Sequence, residues 1–241
     1  MHPDDAPGPL LASGRDGDIF EYGEGRVLRR ARGGRSIAHE ADIMNYVAER
    51  GYRVPKIYDV LNDGRDIVME RIEGPTMARA IEQKPWTLFR QARELARLHK
   101  ELHALAAPEW LPQAHVGGTA LVHRDLHPLN VLMSPTGPVV IDWANAAAGE
   151  ANSDVADTWL VMSVGGLENP TLFMRVLLSF RAALVNAFVN EFDRAEIVPL
   201  LRAGTEERAR DHNMSASEVA AMWRIVEKEE AKLAKKKGAR G

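Results

Sequence analysis

The chain is 241 residues long, 45% hydrophobic and 27% charged, proportions that exclude a fibrous or disordered chain and allow one or two domains with a buried core. With 31 Lys and Arg against 34 Asp and Glu the net charge is −3, so the basic excess that nucleic-acid or membrane-surface binding draws on is missing, and neither partner is expected. The absence of cysteine excludes disulfides, thiolate metal centres and a thiol nucleophile. The segment MHPDDAPGP carries acids where a secretory signal has bases. The most apolar stretch, 172–192, is interrupted by Arg175, Arg181, Asn186 and Asn190, each expensive in hydrocarbon. A cytoplasmic location is therefore expected. That stretch reads as an amphipathic helix with Phe173, Val176, Leu177, Phe180, Leu184 and Phe188 on one face.

In chain order, Leu10 to Ile72 carry short strand-like runs, IFEY, RVLRR and DIVMERI, separated by turns such as YGEG and NDG. One helix interrupts them: SIAHEADIMNYVAERG offers Ser36 as a cap, apolar residues at Ile37, Ala41, Met44, Val47 and Ala48, and Gly51 as a stop. After Gly74 and Pro75 the pattern turns helical, over Thr76 to Gln83 and then Trp86 to Leu105, with Leu88, Ala92, Leu95, Leu98, Leu102 and Leu105 at helical spacing. A strand pair intrudes where VLM and VVI flank SPTGP, and from Asp154 onward the chain reads as helix nearly to its end. Strands followed by helices predict an α+β chain with two lobes, 1–72 and 73–241.

The chemistry is concentrated in VHRDLHPLN, Val122 to Asn130, followed twelve positions later by Asp142 in VVIDW. A His-Arg-Asp triplet, four intervening residues and an Asn, then an Asp closing the next strand, form the catalytic pattern of kinase-type phosphotransferases. Phosphoryl transfer needs hard oxygen ligands for Mg²⁺, which Asn130 and Asp142 supply. It also needs a carboxylate to orient or accept the proton of the attacking hydroxyl, the role of Asp125. The turn SPTGP reverses the chain, so Asp142 is expected beside the point where Asn130 begins the first strand.

The run HRDLHPLNVLM with VVIDW resembles the aminoglycoside phosphotransferase and choline kinase-like family, small-molecule relatives of protein kinases. The resemblance extends from about Gly14 to about Ala221 and implies a bilobal protein kinase-like fold, with a small, mainly β N-lobe and a larger, mainly α C-lobe. It implies ATP and Mg²⁺ as cofactors and a small-molecule hydroxyl as acceptor. SGRDGDIFEYGEGRVLRR takes the place of a nucleotide-covering loop, with Gly14 and Gly17 letting backbone amides approach phosphate. Arg29 falls where the family places a phosphate-binding Lys; its planar fork keeps the charge but changes the shape. Glu40 matches the acid that pairs with this basic residue, and Met69, Glu70, Arg71 and Ile72 match the hinge that meets adenine. His123 braces the catalytic loop, Arg124 replaces a small residue and is closer to protein kinases, and Asp154 matches an Asp that holds the loop backbone. Asp157 either shares that role or is a helix N-terminal acid stabilised by the dipole.

Other readings are weaker. His99 and His103 are spaced as zinc ligands, but HKELH lacks the Glu of HExxH, so both are expected to be packed or hydrogen-bonded; His127, before Pro128, shapes the loop. Neither GxSxG nor a Walker motif occurs. A protein Ser/Thr kinase is disfavoured because little chain separates Asp142 from the next helix and no APE follows. An idle nucleotide-binding scaffold has no need of Asp125, Asn130 and Asp142 together. The five basic residues of Lys232 to Arg240 suit a solvated helix end. From Asp142 to Glu227 there are 13 acidic and 7 basic residues, a bias that favours a cationic, aminoglycoside-like or amino-alcohol acceptor.

Overall fold

The computed structural model describes residues 7–14, 17–164, 172–211 and 214–238, with side chains of the 172–189 helix described from 180 onward. Residues 1–6, Arg15, Asp16, the side chains of Phe173, Arg175, Val176 and Leu177, and the tail from 239 lie outside the described residues. Contacts group the chain into two units, Met1–Ala78 with Leu129–Asn145, and Arg79–Pro128 with Ala146–Gly241. The hairpin after Asn130 thus groups with the N-terminal sheet, although it follows the first helices in sequence.

In the first unit, strands β1 (Leu10–Ser13), β2 (Gly17–Glu21), β3 (Arg26–Ala31), β4 (Ile57–Leu61) and β5 (Asp66–Glu70) form an antiparallel sheet in the order β1-β2-β3-β5-β4. Period-2 alternation puts Val27 and Arg29 of β3 on one face, opposite Met69 and Ile67 of β5. Gly17 pairs with Ala31, and a Cβ there would lie 2.6 Å from the Arg30 carbonyl oxygen. The glycine is therefore needed for the close approach of two strands, in addition to any approach to phosphate. The turn Asn62-Asp63-Gly64 takes three successive positive φ values, which Asn, Asp and Gly tolerate best.

Helix α1 spans Ala38–Glu49. Ser36 sits one residue before the cap and accepts the Ala38 amide at 3.3 Å, while Gly51, at φ +81°, ends the helix as expected. Its inward face is Ala41, Ile43, Met44 and Val47 together with Glu40; Ala48 is exposed. A small core joins Ala41 and Ile37 to Ala31 and Ile67, with Ile57 and Met69 packed on it. The later hairpin pairs β7 (Val131–Ser134) with β8 (Gly137–Val140) in the register Val131 to Val140. Trp143, fully buried, donates its indole N–H to the Val140 carbonyl at 3.2 Å and meets the Tyr52 ring edge-on.

Helix α2 spans Met77–Gln83. In the second unit, helix α3 spans Leu88–His103 and buries Leu88, Ala92, Leu95, Leu98 and Leu102. It starts later than its apolar spacing predicts, because Pro85–Thr87 form a 3-10 turn that leaves Trp86 79% exposed. Strands β6 (Ala120–Val122) and β9 (Ala147–Gly149) make a short antiparallel ladder that the sequence reading missed, since runs of three residues are too short to show alternation. Helices α4 (Ala151–Val164), α5 (Leu172–Val189), α6 (Arg194–Ile197), α7 (Leu201–Arg208) and α8 (Ala216–Gly238) follow. Helix α4 is buried continuously from Ser153 to Leu160 because α5, α6, α7 and α8 all pack on it. Among the described side chains of α5 the buried ones are Val185, Phe188 and Val189, whereas Phe180, expected on the inward face, is 45% exposed. Among the described residues no helix is long and apolar enough to cross a membrane.

Candidate active site

One pocket of the first unit, with a volume of about 480 Å³, gathers the residues read as nucleotide-binding. Gly14 and Gly17 bound it from the β1–β2 hairpin, where the Gly14 amide donates to the Gly17 carbonyl at 2.9 Å. Arg29 reaches it from β3 and Glu40 from α1, and Met69, Glu70, Arg71 and Ile72 close it at the end of β5. Asn130 and Asp142 enter from the ends of the later hairpin. Its apolar walls, including Ile19, Val27, Met44, Ile67, Leu132 and Ile141, went unnoticed in the sequence because each reads as ordinary core; such walls suit a flat aromatic base.

Two electrostatic relations organise this pocket. Arg29 Nη1 lies 2.8 Å from Glu40 Oε2, and Arg29 Nη2 lies 3.5 Å from Asp142 Oδ1. Glu40 is 1% exposed, a burial a carboxylate tolerates only when paired. The Ile141 amide donates to the Asn130 carbonyl at 3.0 Å, which sets Asp142 one residue beyond a direct backbone link to Asn130. Asp142 itself adopts φ +67°, a left-handed conformation unusual outside glycine. Asn130 and Asp142 thus offer hard oxygen donors to one pocket, a donor set that fits Mg²⁺.

The hinge is more committed than its sequence implies. The Glu70 amide already donates to the Lys56 carbonyl at 2.8 Å and the Arg71 amide to that of Gly25 at 3.0 Å. The Arg71 side chain pairs with Glu21 at 2.9 Å and Glu73 at 2.8 Å. Gly74 follows at φ +140°, where a Cβ would lie 2.1 Å from the Met133 carbonyl oxygen. The adjacent Pro75 carbonyl accepts the Met133 amide at 2.8 Å. The end of the hinge is thereby pinned to the hairpin that carries Asn130 and Asp142.

The loop His123, Arg124, Asp125 belongs to the second unit and is held by Asp154 of α4. Asp154 Oδ2 accepts the His123 amide at 3.2 Å, and Oδ1 accepts the Arg124 amide at 2.6 Å. Arg124 needs this support, because its φ is +66°. Burial pushes the Asp154 carboxyl up, but His103, at 2.9 Å, and His99 more than offset it and hold it well below the usual range. The His99 ring meets the Leu126 carbonyl at 3.1 Å, and Thr158 donates to the same oxygen at 3.0 Å. Both helix histidines are therefore hydrogen-bonded braces. His99, His103 and Asp154 stand close enough for a metal cluster in outline, yet Asp154 already serves two amides and a histidine.

Asp125 has His127 Nε2 at 3.5 Å from Oδ2 and Arg208 at 3.6 Å from Oδ1. Burial raises its carboxyl, and His127, Arg208 and His123 together bring it below the ordinary range, so it is ionised at neutral pH. Asp157, one turn beyond Asp154, takes no part in holding the loop. It is 2% exposed, burial raises its carboxyl to about 7, and it lies beyond the first turn of α4, where Asp154 is the acid, a place that does not suit a helix N-terminal acid stabilised by the dipole. Its Oδ1 packs against Gly204, 2.6 Å from where a Cβ would be, and His115 Nε2 is 3.8 Å away. The sequence also gave no signal for Glu207 and Arg208, which lie far along the chain on α7 and pair with the loop.

The sequence profile described as APH, phosphotransferase enzyme family, matches residues 9–121 and 109–200. No curated protein sequence gives a significant match. Among solved structures, the chain is similar to a choline/ethanolamine kinase family protein from Mesorhizobium loti, at 14% identity, 95% coverage of this chain, 89% of that one and a TM-score of 0.61. A thermostable mutant of aminoglycoside phosphotransferase APH(4)-Ia, solved as a ternary complex with AMP-PNP and hygromycin B, matches at 13% identity over 91% and 92% of the two chains, with a TM-score of 0.64. An aminoglycoside-3'-phosphotransferase of type VIII matches at 20% identity over 95% and 92%, with a TM-score of 0.51. At these identities the likeness establishes the fold, an α+β kinase-like architecture with a sheet lobe and a helical lobe.

Proposed function

Because the chain belongs to the phosphotransferase enzyme family, we propose that it transfers the γ-phosphoryl group of Mg·ATP to a hydroxyl of a small molecule. The observation that carries the nucleotide half of this reading is a single pocket of about 480 Å³ lined by Gly14, Gly17, Arg29, Glu40, Met69, Glu70, Arg71, Ile72, Asn130 and Asp142. Arg29, steered by Glu40, binds the phosphates. Since the Glu70 and Arg71 amides are engaged, adenine recognition falls to the remaining backbone groups of Met69 to Ile72 and to the apolar walls. The Asn130 side-chain oxygen and the Asp142 carboxylate would hold Mg²⁺, whose charge neutralises phosphate oxygens when bound.

Asp125 orients the acceptor hydroxyl and takes its proton, a role supported by its ionised state and by its place in the loop. His123 and Arg124 hold that carboxylate in position through their contacts with Asp154. The acceptor class follows from charge: the excess of acids between Asp142 and Glu227 favours a cationic amino-alcohol or aminoglycoside-like molecule. Part of that excess is neutralised internally, since Glu207 pairs with Arg124 and Arg210 and Asp154 serves the loop. An acceptor screen by coupled ADP release tests the reading, run with aminoglycosides, choline-like amines, sugars and nucleosides. ADP release that needs one acceptor and disappears in Asp125→Ala is the expected result. A thermal shift by Mg·ATP with no ADP release on any acceptor would favour the idle nucleotide-binding scaffold instead.

A further inference from the structure

Two adjacent residues of α7 grip two adjacent residues of the catalytic loop. Glu207 Oε1 accepts from Arg124 Nη2 at 3.0 Å. Arg208 Nη2 donates to the Arg124 carbonyl oxygen at 2.8 Å and lies 3.6 Å from Asp125 Oδ1. On the N-terminal side of the same residue, α4 supplies Asp154 to the His123 and Arg124 amides. The two helices are packed on each other, with Gly204 allowing α7 to approach Asp157. Arg124 is thus held at its amide, its carbonyl and its guanidinium, although its own φ of +66° disfavours the conformation.

A left-handed arginine persists only where its surroundings over-determine it. Asp154 secures the N–H side; without Arg208 the carbonyl side, which leads directly into Asp125, loses its donor. Arg208 is also the last residue of α7, where a cation is favoured by the helix dipole. Its charge is consequently anchored at three places: the helix end, the Arg124 carbonyl and the Asp125 carboxylate. The charged groups that act on the Asp125 carboxylate include His127, Arg208 and His123, and of these three only Arg208 keeps its charge at every working pH.

We propose that Arg208, with Glu207 as its partner in the grip, is a positioning residue for phosphoryl transfer: it locks the strained Arg124 peptide and aims the Asp125 carboxylate. The proposal rests on the reading of Asp125 as the group that orients the acceptor hydroxyl. Neither residue touches nucleotide in this scheme. Their effect passes through Asp125, and α7 becomes a structural input to catalysis rather than packing alone.

The test needs no acceptor. Carboxyl ¹³C NMR of the full chain, labelled at Asp and assigned with Asp125→Asn, follows the Asp125 titration, while amide exchange follows Arg124 and Asp125. In Arg208→Met the titration is expected to move up by about one unit, and exchange at both amides to quicken at least about tenfold. Arg208→Gln keeps a donor without charge, so it should move the titration and retain most of the protection. Arg208→Lys, which keeps the charge, should restore the titration. If Arg208→Met does not fold, the contrast between Gln and Lys still decides. An unmoved titration and unchanged exchange in the neutral variants would overturn the inference. Full turnover in Asp125→Asn, once an acceptor is found, would instead overturn the catalytic reading and leave these titrations intact.

Discussion

The ion pair of Arg29 with Glu40, 2.8 Å between Nη1 and Oε2, buries the carboxylate to 1% exposure while the guanidinium stays 13% exposed. The second nitrogen of the same fork lies 3.5 Å from Asp142. A lysine has one nitrogen to offer where arginine has two in a fixed plane. Arg29→Lys should therefore preserve the Glu40 contact and weaken the one to Asp142, raising the Kd for Mg·ATP about tenfold with little loss of stability. Glu40→Gln leaves the arginine without its buried counter-charge and should cost about 1–3 kcal/mol in urea unfolding as well as nucleotide affinity. Unchanged nucleotide titrations in both variants would remove Arg29 from the phosphate site.

Asp142 combines a proposed metal-ligand role with a left-handed backbone at φ +67°, and the two can be separated by substitution. Both Asp142→Ala and Asp142→Gly remove the carboxylate, so nucleotide binding in each should become insensitive to Mg²⁺. Only glycine adopts the left-handed region without penalty, so Asp142→Gly should be the more stable of the two by about 1 kcal/mol. Equal stabilities would show that the backbone stores no strain here.

Gly74 offers a steric test of the hinge. Its φ of +140° and the 2.1 Å separation between a built Cβ and the Met133 carbonyl mean that Gly74→Ala must displace either the hinge or strand β7. The expected outcome is a loss of about 2 kcal/mol or more in denaturant unfolding. Weaker Mg·ATP binding should accompany it, because Asn130 and Asp142 stand at the ends of the displaced hairpin. A variant of native stability and affinity would show that the approach relaxes freely.

These contacts indicate what a sequence can reveal. The spacing from Asp125 to Asn130 and from Asn130 to Asp142 was readable because chain connectivity and one tight turn fix it, as did the alternation that puts Val27 and Arg29 on one face. Glu40 was readable only through the resemblance, since a helix glutamate carries no local sign of burial. Glu207 and Arg208 were not readable at all: they reach Arg124 across more than 80 residues, through the packing of α7 on α4, and Gly204 looks like a weak point in a helix until Asp157 is placed against it. The later start of α3 and the exposure of Phe180 have a similar origin. Periodicity marks an apolar stripe, but tertiary packing decides how much of the stripe is covered.

Asp157 sets a limit on stability at alkaline pH. Its carboxyl is raised by burial to about 7, against about 4 in an unfolded chain. A raised folded-state pKa means that the native chain holds its proton more tightly than the unfolded one. Native stability from this group is therefore complete below about pH 4 and is lost as the pH rises through 7. Asp154, Asp125 and Glu207 act in the opposite sense: their lowered carboxyls contribute above the unfolded range and lose that contribution as acid protonates them. Unfolding free energy should accordingly peak between about pH 4 and 7. Asp157→Asn mimics the protonated acid in size and leaves the contact with Gly204 in place. It should raise stability at pH 8 by up to about 4 kcal/mol, the free-energy equivalent of a shift of about three pKa units, by about 1 kcal/mol at pH 5, and make little difference at pH 4. Denaturant melts of the two proteins from pH 4 to 9 measure this directly. Parallel curves across that range would mean that Asp157 titrates as an ordinary carboxylate and that its burial is relieved by water.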